Sequence, residues 1–462
     1  MLTLQKQINL FPKQREDVAK LRKSLDERHV GLCFLDTGGG KSLEALYTLS
    51  TTPGVRKIWI INKANLSWQW YVEYCKEYLP MKFLFYEGPP ARRAKRIDYP
   101  YLLMSYEIFR NDIDMLKKQI NYNDFIIFDE ATHIKGYRSP KNVSQICQAV
   151  LSLFDLRHPY MFFMTGTPVT NRPNDCYIFF RLYHGERYKF YSHDNKYNRY
   201  KTIKDKNGKF KFRLHLGTKN IPLLKRELKK IAVHRTVAEI EKVKVNQTKH
   251  MLKMDDYHKG LYLQFKKNHY VEIDGEFIHG KGFRPSYMKA RQLASDPGTL
   301  AGKWSDIKIA KTIELIEEID NTVIVAATFI KTVERLYGAI QATGRTTGLM
   351  YGKVSRKMKN IVQDDFKAGR ADVLLGHPKS IAYGFNFQFV CRHIIIAEIM
   401  DDYELLKQLI ARVRRVGGSK EVFVHYLLTA KTMEQKVYKV LTKRGNMVNY
   451  LKRDEGRLWE VM

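Results

Sequence analysis

Short apolar runs recur along the first part of the chain, and stretches with helical periodicity separate them. The runs lie at 30–35, 57–62, 101–106, 125–128 and 160–164. Runs that are apolar on both faces, instead of alternating with polar residues, are typical of strands in a buried parallel sheet. Helical stretches at 11–25, 43–49 and 66–78 alternate with these runs. The pattern predicts a doubly wound parallel-sheet α/β domain over residues 1–184.

The same alternation returns after residue 300. Amphipathic helices are predicted at 307–319 and 333–343, and apolar strands at 322–327, 372–375 and 393–397. We therefore expect a second α/β domain at 301–440 that resembles the first but has no phosphate-binding loop.

Residues 183–230 have a different character, being dense in Tyr, Lys, Arg and His. Two pairs of short strands flank the turn residues Asn207-Gly208 and Asp274-Gly275, which favour tight β-hairpins. A helical stretch at 257–269 precedes the second pair. We expect a basic insertion of helices and two β-hairpins between the domains, at 185–300, and a short basic C-terminal tail at 441–462.

Charge narrows the class of partner. The 462 residues include 80 Lys and Arg against 48 Asp and Glu, which gives a formal net charge of +32. An excess of this size favours a polyanionic partner, with nucleic acid ahead of an anionic membrane surface or a charge that serves solubility alone. No long apolar segment or basic amphipathic anchor predicts a membrane association.

The five cysteines are scattered and never form a C-x-x-C pair. This spacing argues against a disulfide framework or a zinc module and favours a reducing compartment. The first ten residues contain no cleavable hydrophobic region. We expect a cytoplasmic protein of a bacterial or phage-infected cell, with the nucleus as the alternative.

The first apolar run leads into Asp36-Thr37-Gly38-Gly39-Gly40-Lys41-Ser42 and then into a helical stretch. Strand, glycine-rich loop and helix follow in the order that a phosphate-binding loop needs. Glycines let backbone N–H groups face phosphate oxygens, a lysine reaches the β- and γ-phosphates, and a serine hydroxyl ligates Mg²⁺. The strict pattern asks for glycine at position 35, where this chain has Leu35, and an ordinary turn is the alternative.

Two further groups complete the predicted chemistry of an ATPase. Asp129 and Glu130 follow a buried run and offer one carboxylate for Mg²⁺ and a second for the attacking water. Arg412 and Arg415 are three residues apart, which places them on about one face of a helix, and either can stabilise charge on a γ-phosphate. A surface loop and a basic surface helix are the respective alternatives.

Taken in order, these segments resemble the motifs of superfamily 2 helicases and translocases, specifically of their SWI/SNF-like branch. In the first half of the chain, residues 11–14 are similar to the upstream glutamine element, 35–42 to a first motif that lacks the early glycine, and 164–171 to T-G-T-P-x-x-N. Residues 129–135 are similar to D-E-A-H-x-I-K but have Thr132 in place of His. In the second half, residues 383–387 are similar to G-L-N-L, 432–434 to T-I-E, and 408–417 to Q-x-x-x-R-x-x-R-x-G, which is followed by Gly418 where Gln is usual. The resemblance runs from about residue 10 to 437.

The resemblance implies two RecA-like domains, ATP and Mg²⁺ as cofactors, and roles for individual residues. Those expected to hold ATP are Gln14 at the base, Thr37, Gly38, Gly39, Gly40, Lys41 and Ser42 at the phosphates, and Gly384. Catalysis is assigned to Lys41, Asp129, Glu130, Arg412 and Arg415, with Ser42 and Asp129 on Mg²⁺. Thr165, Thr167 and Gln408 are expected to couple hydrolysis to domain closure. The departures at Thr132 and Gly418 concern the link between the ATP and DNA sites.

Residues expected to contact DNA lie in both domains. Those in segments matching the family are Lys63, Asn65, Ser105, Tyr106, Thr328 and Ser380, each of which has a helix-capping or turn role as its alternative. In the first hairpin, Phe210 and Phe212 alternate with Lys209, Lys211 and Arg213, so an aromatic face opposes a cationic one and suits stacking on an unpaired base. The alternative is an edge strand protected by lysines.

These observations predict a monomeric ATP-dependent DNA helicase or translocase. The substrates expected are forked, branched or duplex DNA, with unwinding or branch migration in repair, recombination or replication, alongside other proteins of those processes. Without a histone-tail reader, nuclease or zinc module, the chain fits a compact phage or bacterial enzyme better than a chromatin remodeller. Three alternatives stay open: a duplex translocase that displaces proteins without separating strands, a non-catalytic nucleic-acid-binding scaffold, and an RNA helicase.

Overall fold

The computed structural model describes residues 2–155, 159–169, 172–204, 209–280, 282–382 and 386–442. Within these ranges, it leaves out the side chains of Asn65, Lys204, Phe210, Lys211, Phe212, Phe283, Arg284 and Arg356. The chain divides into two compact units, Met1–Lys242 and Val243–Met462.

The first unit is built around a seven-stranded sheet. Its strands in chain order, including those of two small hairpins, are β1 Val30–Leu35, β2 Ile58–Asn62, β3 Leu84–Phe85, β4 Tyr101–Ser105, β5 Phe125–Asp129, β6 Tyr137–Ser139, β7 Asn142–Val143, β8 Tyr160–Met164, β9 Asn198–Lys204, β10 Phe210–Thr218 and β11 Val233–Arg235. The large sheet has the order β11-β1-β8-β5-β2-β4-β3, and all its neighbouring strands are parallel. The apolar runs of the sequence form its central strands, and every residue of β1, β2, β5 and β8 is buried.

Helices connect these strands, as parallel pairing requires. They are α1 Pro12–Arg28, α2 Lys41–Ser50, α3 Ser67–Gln69, α4 Lys76–Tyr78, α5 Pro90–Ala94, α6 Tyr106–Asn111, α7 Ile113–Leu116, α8 Gln145–Asp155, α9 Tyr177–His184, α10 Phe190–Tyr197, α11 Ile221–Ile231 and α12 Val237–Ile240. Between α3 and α4 the chain forms one turn of π-helix, Trp70–Cys75, inside the single helix that the sequence predicts at 66–78.

The second unit has a six-stranded parallel sheet. Its strands are β12 Lys244–Leu252, β13 Tyr270–Ile273, β14 Glu276–His279, β15 Val323–Ala326, β16 Thr347–Met350, β17 Val373–Gly376, β18 His393–Ile396 and β19 Glu421–Thr429. Its helices are α13 Asp256–Asn268, α14 Phe283–Ser295, α15 Ile307–Glu318, α16 Ile330–Ala342, α17 Arg356–Lys367, α18 Pro378–Ile381, α19 Tyr403–Ile410 and α20 Met433–Thr442. The sheet order is β12-β19-β18-β15-β17-β16, with β13 and β14 as a separate hairpin.

The predicted fold class is confirmed, since each unit has helices around a parallel sheet, and both predicted hairpins form. At the second hairpin turn, Asp274 and Gly275 have φ of 51° and 80°, as a type I′ turn requires. The first turn, Asn207-Gly208, lies outside the described residues.

The segment 185–300 also supplies two strands to the large sheets that the sequence did not predict. The strand β11 pairs with β1 in the first unit, and β12 pairs along nine residues with β19 in the second. The strand β12 has few apolar residues because it is an edge strand with partly exposed side chains. The boundaries at 184, 300 and 440 stay predictions. Among the described residues, no helix is both long and apolar enough to cross a bilayer.

Candidate nucleotide site

The loop between β1 and α2 has a backbone that glycine makes possible. Gly38 and Gly40 have φ of 89° and 90°, in the left-handed region that other residues rarely adopt. A Cβ atom at Gly40 would also lie 2.4 Å from Nε2 of Gln14. Gly40 is the residue before α2 and provides no side-chain cap, so the helix begins with backbone groups alone.

Lys41 folds back over this loop. Its Nζ donates to the backbone oxygen of Leu35 at 3.1 Å and approaches that of Asp36 at 3.4 Å. The residue is only 9% exposed. The ammonium group is therefore held at the loop by neutral carbonyl oxygens, without a carboxylate hydrogen-bonded to it among the described residues.

Gln14 reaches the same loop from α1. Its Oε1 accepts from the backbone N–H of Phe11 at 3.0 Å, and its Nε2 donates to the carbonyl oxygen of Gly39 at 3.0 Å. The residue is 3% exposed. The structure thus brings the predicted glutamine element to the glycine loop, while its contact with an adenine base stays a prediction.

Asp129 ends β5 as a buried carboxylate. Its Oδ2 accepts from Nε1 of Trp70 and its Oδ1 from the backbone N–H of Glu130, both at 2.8 Å. Burial, followed by the charge of Glu130, raises the pKa of Asp129 to about 6, while the Trp70 hydrogen bond and the charge of Lys41 oppose the rise. Glu130 has φ of 49°, so the chain turns sharply as it leaves the strand.

The T-G-T-P segment follows β8 beside the glycine loop. Thr165 is fully buried, its Oγ1 accepts from the backbone N–H of Thr167 at 3.1 Å, and its own N–H donates to Cys33 of β1. A Cβ atom on Gly166 would lie 3.2 Å from Oγ1 of Thr37. Since the backbone there is in contact with the loop, the carboxyl ends of β1, β5 and β8 carry three predicted motifs to one edge of the sheet.

Lys135 joins two of these motifs. Its Nζ donates to the carbonyl oxygen of Thr167 at 2.5 Å. The segment that contains Asp129 and Glu130 is thereby tied to the segment that contains Thr165 and Thr167.

Glu44 lies one turn into α2, and its side chain is fully buried behind the loop. Burial and the nearby Asp17 raise its pKa to about 9, and the thiol of Cys33 donates to its Oε2 at 3.7 Å. Glu44 is therefore uncharged at neutral pH. The positive charge of Lys41 is not neutralised by it.

Arg235 is a residue of this site that the sequence pattern did not indicate. Its carbonyl oxygen accepts from the N–H of Asp36 at 2.9 Å, and its guanidinium binds Asp17 of α1 at 2.6 Å and Glu16 at 2.9 Å. A strand about 200 residues away thus braces both the glycine loop and the helix that carries Gln14. A contact of this sequence separation leaves no local signal.

Several residues predicted to contact DNA have internal roles. Tyr106 is fully buried and donates from its hydroxyl to the carbonyl oxygen of Asp129 at 2.8 Å, and its ring stacks on His133. Ser105, 8% exposed, caps α6 by accepting from the N–H of Ile108. Neither side chain is presented at the surface: Ser105 makes the capping bond that was its alternative, Tyr106 supports the strand end at Asp129, and a DNA contact of either residue stays a prediction.

The other predicted DNA contacts are placed as follows. Lys63 is partly exposed and close enough to His133 for its charge to lower the pKa of that ring, although burial is the larger cause. Thr328 donates its N–H to Glu398 at 2.7 Å, and Ser380 is half-buried in α18. The side chains of Asn65, Phe210 and Phe212, and all of Gly384, lie outside the described part of the chain.

The arginine motif lies in the second unit, and one detail of its prediction was wrong. The helix α19 ends at Ile410, so Arg412 and Arg415 lie in the turns after it and not on a helical face. Short-range backbone bonds, such as Arg412 N–H to Leu409 and Val413 N–H to Ile410, form these turns. Nε of Arg415 donates to Ala411, and Gln408 is partly buried in α19.

Comparison with known protein families agrees with this geometry. The SNF2-related domain matches residues 13–298, more than half of the chain, and the helicase conserved C-terminal domain matches residues 307–417.

Relatives and a solved structure extend over most of the chain. An uncharacterized ATP-dependent helicase of Mycoplasma pneumoniae is 22% identical over 94% of this chain and 41% of its own length. A second, from Mycoplasma genitalium, is 22% identical over 95% of this chain and 42% of its own length. The SWI2/SNF2 ATPase core of Sulfolobus solfataricus, solved with double-stranded DNA, is 20% identical, covers 98% of this chain and 95% of that one, and has a TM-score of 0.41.

The chain spans about two fifths of the length of these two helicase relatives. The matched domains run in the order that the motifs predict, and the first of them contains the glycine loop, the Asp-Glu pair and the T-G-T-P segment. The resemblance found in the sequence is confirmed: the chain belongs to the SNF2-related family of superfamily 2 helicases.

Proposed function

We propose that this protein is an ATP-driven DNA motor, a DNA-dependent ATPase that remodels forked or branched DNA. The observation that carries the proposal is the meeting of three motifs at one sheet edge of the first unit. There the Lys41 charge acts on the Asp129 carboxylate, and Gly166 packs against Thr37 of the loop.

The residues present fit a nucleotide with its magnesium ion. Gly38, Gly39 and Gly40 form the loop, at position 40 of which a Cβ atom would clash with the Gln14 side chain, and the Lys41 ammonium can exchange its carbonyl partners for phosphate oxygens. Ser42 and Asp129 would hold Mg²⁺, and Gln14 would take the base. The ion supplies charge stabilisation at the phosphate oxygens when it is bound.

Hydrolysis would then divide among residues of both units. Glu130, on its left-handed backbone after the strand, orients the attacking water, and Arg412 and Arg415 supply positive charge to the γ-phosphate. Thr165, Thr167 and Gln408 would couple the chemistry to closure of the two units. The net charge of +32 supports a polyanionic track for the motor.

The choice of DNA structure is the finer part of the proposal. ATPase rates should be measured on single-stranded, duplex, forked and four-way DNA, beside a fork-unwinding assay and a triplex-displacement assay. We expect the strongest stimulation by forked or four-way DNA, together with unwinding. Triplex displacement without unwinding would instead identify a duplex translocase, and ATPase activity that no DNA stimulates would contradict the motor.

A further inference from the structure

The hairpin of β9 and β10 stands apart from the large sheet of its unit. Within the described residues it forms a two-stranded sheet of its own. We define the hairpin stem as Asn198–Lys204 and Phe210–Thr218. Two-stranded hairpins have little stability alone, so what fixes this stem to the unit decides what it can do.

A buried polar network fixes the base of the stem. Asp194 of α10, 5% exposed, accepts at Oδ1 from the amide of Asn174 at 2.7 Å, from the amide of Asn198 at 3.0 Å and from the hydroxyl of Tyr200 at 2.7 Å. The amide of Asn198 also donates to Asn174. The stem is therefore held by the 3₁₀ turn Pro173–Cys176, which comes shortly after the T-G-T-P segment.

One face of the stem packs onto this base. Tyr200 and His215 are cross-strand partners whose rings contact edge to face, and the guanidinium of Arg213 lies 4.2 Å from the centre of the Tyr200 ring. Arg213 also donates to Asn195 of α10. This face is occupied by the protein itself.

The opposite face, in its described part, exposes both cationic and apolar side chains. Lys201 pairs with Leu214, so both lie on the side away from Tyr200 and His215. Lys201 and the nearby Arg199 are exposed, while Leu214 is 46% and Leu216, in the bulge beside Gly217, 60% exposed. Lysines on an edge strand prevent it from pairing with other strands, but that role does not explain two exposed leucines on the same face.

Charge identifies the occupant as a polyanion. Residues 198–218 contain seven Lys and Arg against one Asp. Cations bind phosphates, and leucine is among the apolar side chains that proteins insert between bases. Duplex DNA offers phosphates but no exposed base face, whereas a junction offers both.

We infer that the outward face of the hairpin stem, with Arg199, Lys201, Leu214 and Leu216, contacts DNA where its two strands part. The cations hold a backbone phosphate and the leucines cover the base pair that opens. The inference rests on the proposed function and gives it a substrate class, a DNA fork. Because its base is fixed beside the T-G-T-P segment, the stem would move with the first unit as a rigid wedge.

The double variant Leu214→Ser/Leu216→Ser tests the wedge. Its base pairs unwound per ATP hydrolysed on a fork should fall about tenfold, since contact with the opening base is lost. Leu263→Ser, at a leucine of α13 that is 50% exposed, is the matched control. Thermal unfolding of each variant establishes that the fold is kept. A ratio equal to that of the control would overturn the inference.

The charge variant Arg199→Ala/Lys201→Ala tests the phosphate contact separately. The slope of log affinity for forked DNA against log salt should become shallower by about one to two, since up to two phosphate contacts are lost. Lys225→Ala/Arg226→Ala, at exposed cations of α11, is the control. Equal slopes for the two double variants would contradict the contact.

Crosslinking locates the face without requiring hydrolysis. All five native cysteines are buried, so a thiol-reactive photocrosslinker on Leu216→Cys should attach selectively there. We expect crosslinks to nucleotides at the fork junction. Crosslinks only to distant duplex, or to a second copy of the chain, would overturn the inference. Wild-type ATPase stimulated by DNA but without any unwinding would refute the wedge and leave the motor standing, whereas ATPase that DNA fails to stimulate would refute the motor.

Discussion

Both units contain a helix, a strand, a loop and a second helix in that order, α1-β1-α2 in the first unit and α15-β15-α16 in the second. The two units differ in which groups surround the amino end of the second helix. In the first unit, the loop before α2 contains three glycines and offers no side-chain cap. In the second, Ala327, Thr328 and Phe329 separate β15 from α16, and a carboxylate of the protein lies against the loop.

That carboxylate is Glu398, which follows β18 and is 1% exposed. Its Oε2 accepts from the N–H groups of Thr328 and Phe329, both at 2.7 Å. Its Oε1 accepts from the hydroxyls of Ser295 at 2.5 Å and Thr332 at 2.8 Å.

The amino end of a helix attracts an anion because its N–H groups are unpaired and its dipole is positive there. In the second unit, the Glu398 carboxylate accepts from the N–H groups of the loop, so an anion of the protein itself occupies this position. In the first unit, Glu44 is uncharged behind the loop, and Lys41 adds a positive charge at the loop. A similar arrangement of elements can therefore leave the start of its helix available to an outside anion, or satisfy it with one of the protein's own carboxylates, depending on where that carboxylate lies.

The largest expected effect is the loss of ATPase activity when the lysine of the first loop is replaced, compared with replacement of a lysine near the second loop. Lys41→Ala should reduce DNA-stimulated ATPase activity by about 100-fold or more, because the loop loses its ammonium group. Lys331, near the start of α16 and exposed, donates to Leu300 and provides the matched control. Lys331→Ala should retain activity within about twofold. If the two variants lost equal activity in steady-state ATPase assays, the proposal that only the first loop binds phosphate would be contradicted.

The next effect concerns stability of the second unit. Glu398→Gln replaces a carboxylate oxygen with an NH₂ group that cannot accept, so at least one buried donor loses its partner. We expect the free energy of unfolding to fall by about 2–3 kcal/mol. The exposed Glu317 gives the control, and Glu317→Gln should change it by less than about 0.5 kcal/mol. Denaturant unfolding curves that coincide for the two variants would show that Glu398 does not close the loop.

The smallest effect concerns Asp129, the carboxylate at the end of β5 in the first unit. Two hydrogen-bond donors contact the Asp129 carboxylate, whereas four contact that of Glu398. Asp129 must be ionised to hold a cation, so ATPase activity should fall as pH decreases through its pKa of about 6. The Trp70 indole stabilises the ionised form. Trp70→Phe should therefore move the acid limb of the pH–rate profile upward, by about one unit or less.

Trp68→Phe is the control for this shift, because the partly exposed Trp68 ring lies beside Tyr71 and Phe85. Its acid limb should stay where the wild-type limb is. A downward shift for Trp70→Phe would mean that the indole favours the protonated acid instead, and would contradict the hydrogen-bond direction in the structure.

The sequence predicted much of this architecture because both sheets are parallel and buried. Strands β1, β2, β5 and β8 are apolar on both faces, so short runs of residues reveal them. The edge strand β12 and the three-residue β11 carry no such run and were missed. Helix periodicity placed Arg412 and Arg415 on one face, but the local turns after Ile410 override it.

By itself, the sequence determined the order of the motifs, the glycine loop and the fold class, since each depends on residues that are neighbours along the chain. Tertiary structure decided which side chains serve the site. The contact of Trp70 with Asp129 joins residues 59 positions apart, and that of Tyr106 with Asp129 joins residues 23 positions apart. The contact of Arg235 with the glycine loop spans about 200 positions. Such contacts depend on how strands are ordered in the sheet, and no local pattern records that order.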